Sequence, residues 1–423
     1  MRIALLSYRS KPHCGGQGVY VRQLSRGLAV LGHDVEVFSG PPYPADLDPR
    51  VRLTKVPSLD LYRDDDPFRT PRFREIRDRI DVRELLTMWT AGFPEPLTFS
   101  LRVARVLAER AGDFDIAHDN QCLGYGLLDL PGLGLPLVAT VHHPITRDRA
   151  VDLAAAPWWR KPLVHRWYGF LDMQIEVARA IPDLITVSGS SARDTVTDFG
   201  VDPSQMHVVP LGVDTELFAP NRVPRVAGRI VAVASADKPL KGIGYLLRAI
   251  AAVRTRHEVE LHLVAKLEPN GPTEKAIADL GIADIVRTHE GIGEDELARL
   301  LSSAEIACIP SLYEGFSLPA VEAMACGTPL VVSRAGALPE VVGGHGLCAE
   351  VVEPADAGAL ADAIDGLLAD PALRRRYQLA GRRRAEERYS WTSVAARTAD
   401  VYESAIARPV ARPRRDGRSD AHH

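Results

Sequence analysis

The stretch YEGFSLPAVEAMACGTPLV, Tyr313 to Val331, sets two carboxylates eight positions apart across a loop-to-helix junction. Glu314 precedes Gly315 in the loop, and Glu322 lies beyond Pro319 in a run of good helix formers. Ser317 is placed to be the N-cap, with Pro319 tolerated in the first turn. The backbone amides of Gly315, Phe316, Ser317 and Leu318, with the helix dipole behind them, suit an anion such as a diphosphate. A carboxylate turned toward phosphate would repel it, so each glutamate is read as accepting hydrogen bonds from hydroxyls. A nucleotide sugar presents both: sugar hydroxyls beyond the diphosphate, ribose hydroxyls before it.

Other residues gather at comparable junctions. Lys241 stands before Gly242 at the mouth of a helix, where an ammonium can meet a diphosphate. Gly15, Gly16 and Gly18 close the first strand-to-helix turn and allow close backbone approach to a ligand. His142 ends the strand PLVATV, and His143 beside it points the opposite way if the strand continues. The glycine turn also raises a dinucleotide oxidoreductase. G-x-G-x-x-G would need a small residue where Val21 stands, and the second strand, VEVFS, ends without an acid for the ribose. That reading fails twice.

These junctions require parallel strands alternating with helices. RIALLSY, a loop, the helix VYVRQLSRGLAVLG and HDVEVFSG open the series, and FDIAHDN, PLVATVHH and DLITVSGS continue it. VPLGVDTELFAP reads as a linker, after which RIVAVAS begins a second series through VELHLVA, DIVRTHE, EIACIPS, PLVVSRAG and GLCAEVV. The fold class is therefore α/β, two doubly wound Rossmann-like domains, residues 1–210 and 211–390, the second carrying the junction suited to a nucleotide sugar. Residues 41–100, rich in Pro, Arg and Asp, read as a long irregular excursion with short helices. The tail 408–423 reads as disordered.

Composition narrows the classes. The 423 residues carry a formal net charge of -4, which argues against wholesale capture of nucleic acid. Cys14, Cys122, Cys308, Cys326 and Cys348 are scattered without a C-x-x-C pair, as reduced thiols of a cytoplasmic protein are. No apolar run reaches the ~20 residues of a membrane span. The acidic run Asp64–Asp66 lies in the excursion and reads as solvated charge, so no metal site is expected and no cofactor beyond the donor substrate.

EGFSLPAVE resembles the E-x7-E motif of retaining glycosyltransferases of family 4, which have the GT-B fold. The resemblance extends to HCGGQGVYVRQL, VATVHH, VPLGVD, KPLKGIGYLL and YSWTSVAARTADVYESAI, nearly the whole chain. It implies two domains facing each other across a cleft, the helix 391–407 crossing back to the first. It implies that Glu314 meets the transferred sugar, Glu322 the ribose, Lys241 the diphosphate, Gly15–Gly16 the donor, and His142 the sugar near the reacting centre. Relatives pair that lysine with an arginine five residues earlier. Here Ala236 stands there, and Lys238 has two readings, a substitute cation on a shifted loop or an ordinary surface lysine; lysine and arginine are in any case not equivalent on a diphosphate. The implied reaction is metal-independent transfer of a hexose-type sugar from a UDP or GDP sugar, with retention, to a hydroxyl of a sugar, glycan or lipid. The missing arginine keeps open a sugar-nucleotide-binding or regulatory protein of low activity.

The acceptor leaves a fainter trace. Asp119, Asn120 and His143 are candidate contacts, with plain turn formation as the alternative for the first two. PWWRKPLVHRWYGF mixes Trp158, Trp159, Trp167 and Tyr168 with Arg160, Lys161 and Arg166. It admits two readings, aromatics packed on the core or a peripheral contact with the inner membrane face. The run RRRYQLAGRRRAEERY reads as a solvated helix face.

Overall fold

A computed structural model describes residues 1–10, 16–63, 65–234 and 237–408. Gly15, Cys14, Asp64, Ala236 and the tail from 409 lie outside the described residues. The chain forms two compact units. One comprises Met1–Thr186, Ala192–Val209 and the chain from Ala395; the other comprises Val187–Ser191 and Pro210–Val394.

The first unit holds a seven-stranded sheet: β1 (Arg2–Ser7), β2 (Asp34–Ser39), β3 (Arg52–Lys55), β4 (Ile116–Asn120), β5 (Leu137–Val141), β6 (Asp183–Thr186) and β7 (Met206–Val208). The order is β3-β2-β1-β4-β5-β6-β7, every pair parallel. The second holds β8 (Arg229–Val233), β9 (Glu260–Val264), β10 (Val286–His289), β11 (Ile306–Ile309), β12 (Leu330–Ser333) and β13 (Ala349–Val352), ordered β10-β9-β8-β11-β12-β13 and again parallel. β4, β5, β6, β11 and β12 are buried along their whole length, as strands covered by helices on both faces must be. Both are Rossmann-like α/β folds.

Three expectations change. The excursion 41–100 contains β3 and two regular helices, Arg79–Trp89 and the start of Glu95–Ala108. Its charges are partly interior: Asp81 and Glu84, each 1% exposed, both bind the Arg102 guanidinium. A charge-rich segment read as irregular because its ion pairs are made with a helix further along the chain. The linker packs inward, with Val213 and Phe218 in the second unit's core. The basic run of the helix Pro371–Tyr389 is also not simply solvated. Arg382 donates to the carbonyls of Thr215, Phe218 and Ala325 at 2.8–3.0 Å, and Arg384 to those of Val341 and Glu340 at 2.7 Å.

Candidate active site

In the second unit the strand order reverses between β8 and β11, so the loops leaving their carboxyl ends diverge and open a crevice. The loop after β8 carries Lys241 and the loop after β11 carries Glu314. Gly242 brings the two together. Its φ is +67°, and a β-carbon there would lie 2.0 Å from the Pro310 carbonyl oxygen. Leu312 N–H then donates to the Leu240 carbonyl at 2.8 Å. Lys241 Nζ donates to Glu314 Oε1 at 2.7 Å, and the Ser311 hydroxyl to the same oxygen at 2.8 Å. Both bonds fall on Oε1, which leaves Oε2 for another donor.

The peptides after Glu314 are aimed by their carbonyls. Ala337 N–H binds the Glu314 carbonyl at 2.8 Å. Only glycine permits this at position 336, where φ is +53° and a β-carbon would stand 2.0 Å from that carbonyl oxygen. The Gly315 carbonyl accepts the hydroxyls of Ser188, at 2.6 Å, and Ser191, at 2.9 Å. In a trans peptide the N–H points opposite to the C=O. Pinning two consecutive carbonyls to the scaffold therefore turns the amides of Gly315 and Phe316 away from it. No backbone carbonyl answers them among the described residues. Such paired amides form an anion-binding concavity.

Ser317 occupies the N-cap position of the helix Leu318–Ala325 but does not cap it. Its hydroxyl is buried without a partner, a correction to the sequence expectation. The first amides of that helix thus stay available to an anion. Phe316 is buried and packs edge-on against Tyr389, which fixes the loop from below. Glu322 is half-buried, and its carboxylate has no hydrogen-bond or ion-pair partner among the described residues. Burial, and secondarily the charge of Glu294, push its carboxyl up to about 7. Lys238 stands exposed one turn before Lys241.

In the first unit the carboxyl ends of β4 and β5 build a second constellation. His142 is half-buried, its ring edge-on to Tyr20 at 4.8 Å, with Nε2 on Asn120 Oδ1 at 2.8 Å. Asn120 Nδ2 faces the Gln17 carbonyl at 3.4 Å, which turns its oxygen toward the ring, so His142 Nε2 must be the protonated nitrogen. Burial first, and neighbouring His143 second, pull the His142 pKa down to about 3, so the ring is neutral. Nδ1 keeps a lone pair that a hydroxyl can approach.

The acceptor candidates separate. Asp119 is fully buried, its Oδ2 taking the Leu123 N–H at 2.9 Å. It closes a turn and is not available to an acceptor, which corrects that expectation. Asn120 orients His142. His143 is exposed and binds Asp148 at 2.9 Å. Gly16 begins the first helix, Gly16–Val30. Sequence reasoning missed Ser188, Ser191, Gly336 and Gln121; the last binds the backbone around His142.

Residues 14–217 match the family model described as Glycosyltransferase Family 4, and residues 227–370 match Glycosyl transferases group 1. The chain belongs to glycosyltransferase family 4. This family 4 chain is 70% identical over 411 residues, 97% of its length and all of the relative, to an MMP alpha-(1->4)-mannosyltransferase of Mycolicibacterium hassiacum. It is 32% identical, over 97% of this chain and 98% of the relative, to a D-inositol 3-phosphate glycosyltransferase of Xylanimonas cellulosilytica. Among solved structures, sucrose-phosphate synthase from Thermosynechococcus elongatus is similar, with a TM-score of 0.66 and 22% identity over 96% of this chain and 100% of that one. Anabaena HepE, solved in complex with UDP and glucose, also gives 0.66, at 15% identity over 96% and 100%. At those identities the likeness shows the GT-B fold alone. The family 4 chain is a glycosyltransferase.

Proposed function

We propose that this glycosyltransferase moves mannose from a nucleotide-diphosphate mannose, with retention, to the 4-hydroxyl of a sugar acceptor, forming an α-(1→4) linkage. The observation that carries the reading is the pair of Gly315 and Phe316 amides, turned outward beside Lys241 by pinned carbonyls. The sugar and the linkage rest on the relative that is 70% identical over its full length. As the bond from sugar to diphosphate breaks, negative charge grows on the leaving oxygens. Lys241, the two amides and the dipole of the helix Leu318–Ala325 can take up that charge without a metal. Lys241 must exchange Glu314 for the phosphate, which leaves the Glu314 carboxylate free to accept sugar hydroxyls. Glu322 accepts the ribose hydroxyls. Glycosyl transfer with each of GDP-mannose, UDP-mannose and UDP-glucose, before and after chelation, tests this. Mannose transfer with an α product that survives EDTA is expected. Turnover of UDP-glucose alone, or loss with EDTA restored by magnesium, would refute it.

A second reading concerns where the enzyme works. Trp158 is 82% exposed and Trp159 59%, with Val151 and Leu163 exposed beside them in sequence. Arg160 lies over Trp159, and Lys161 follows it. Trp167, by contrast, packs against Tyr62 and Phe93. Interfacial tryptophans among cations suit an anionic lipid surface better than a neutral sugar. We therefore propose cytoplasmic work with peripheral contact at the inner membrane face; the four described cysteines, all buried free thiols, support a reducing compartment. Co-sedimentation with anionic but not zwitterionic vesicles, lost in Trp158→Ser/Trp159→Ser, is expected. Equal recovery in both vesicle types would overturn it.

A further inference from the structure

β4 ends at Asn120, and at Gln121 the chain leaves the sheet with φ +54°, a left-handed conformation held without glycine. β5 runs to Val141, so the backbone of His142 and His143 emerges past the last rung of its neighbour. The Gln121 side chain takes that place. Its Oε1 accepts the His142 N–H at 2.8 Å, and its Nε2 donates to the His143 carbonyl at 2.9 Å. A side-chain amide thus supplies one more rung where the backbone has turned away. The turn is gripped from two sides. Gln174 Nε2 donates to the carbonyls of Gln121, at 3.2 Å, and Cys122, at 3.0 Å. Asp119 takes the Leu123 N–H at 2.9 Å.

We infer that Gln121 is a positioning residue for glycosyl transfer, setting where the His142 ring stands, while Asn120 sets which ring nitrogen carries the proton. The inference rests on the reading that His142 works at the reacting centre. Held this way, His142 offers the Nδ1 lone pair to a sugar hydroxyl and cannot offer an N–H in its place. Freed from Gln121, the same ring would still be present but displaced, and small displacements at a reacting centre reduce turnover more than binding.

Gln121→Leu in the full chain keeps the volume and removes both bonds. Its kcat should fall about tenfold or more while KM for the nucleotide sugar changes less than about threefold. Nitrogen spectra of histidine-labelled protein should show His142 protonated at Nε2 in the parent and a mixture of tautomers in Asn120→Ala. Should Gln121→Leu fail to fold, Gln121→Glu keeps an acceptor for the His142 N–H but sets a carboxylate oxygen against the His143 carbonyl, and its kcat should also fall below the parent's while KM changes little. Wild-type kcat in the folded Gln121 variants beside an inactive His142→Ala would overturn the positioning role alone. Wild-type kcat in His142→Ala would overturn both that role and the reading beneath it. A loss confined to KM, or a parent His142 protonated at Nδ1, would also overturn the inference.

Discussion

Glu314 and Glu322 share a motif and differ in what surrounds them. Glu314 is already neutralised by Lys241 at 2.7 Å, whereas the Glu322 carboxylate has no partner among the described residues and is held up to about 7. Glu322→Gln should therefore weaken donor binding by about 1.5–3 kcal/mol, the worth of a hydrogen bond to a charged group, as calorimetric titration would show. Glu314→Gln should lower kcat more than affinity, because it also releases Lys241 toward the phosphate. The raised pKa fixes a sign as well. The ionised Glu322 is the better acceptor for ribose hydroxyls, so donor affinity should rise with pH through about 7 and then level, and this slope should vanish in Glu322→Gln. His142, neutral down to about 3, should add no acid limb between pH 4 and 8. The glutamates and Lys241 were legible because one short stretch and one loop carry them. Ser188, Ser191 and Gly336 were not, because their work is to hold carbonyls more than twenty to a hundred positions away.

At the scale of elements, the amide pair depends on what stands behind it. Ser188→Ala/Ser191→Ala leaves the Gly315 carbonyl without either hydroxyl, and at about 0.5–1.5 kcal/mol per bond donor affinity should drop several-fold to about a hundredfold. The Ser188 hydroxyl also accepts the Ser191 N–H at 2.9 Å, so the melting temperature should fall as well. Gly336→Ala should be worse, since its β-carbon collides with the Glu314 carbonyl. The parallel sheets were readable from the short apolar runs of strands such as β5, β8, β11 and β12. Residues 41–100 were not, because periodicity there is interrupted by Asp81 and Glu84, which are interior only by virtue of Arg102 on the next helix. The same blindness hid Arg382, whose guanidinium ties three carbonyls together. Arg382→Lys should lower stability by about 1–3 kcal/mol in denaturant unfolding.

At the scale of the molecule, the first unit is built from both ends of the sequence: residues to Val209, then the chain from Ala395. Tyr402, fully buried on the helix Trp391–Ile406, binds Nδ1 of buried His118 in β4 at 2.6 Å. Tyr402→Phe strands that imidazole nitrogen away from water and should cost about 1–3 kcal/mol, read as a lowered midpoint of unfolding. The bond also has a place in time. On the ribosome, His118 emerges 284 residues before the hydroxyl that satisfies it, while every residue of β8–β13 is made in between. The half that is translated first is therefore the half that must wait. The later half contains all its own strands and can close its sheet while the earlier one is still short of its final helix. For this enzyme, the order of synthesis and the order of completion run in opposite directions.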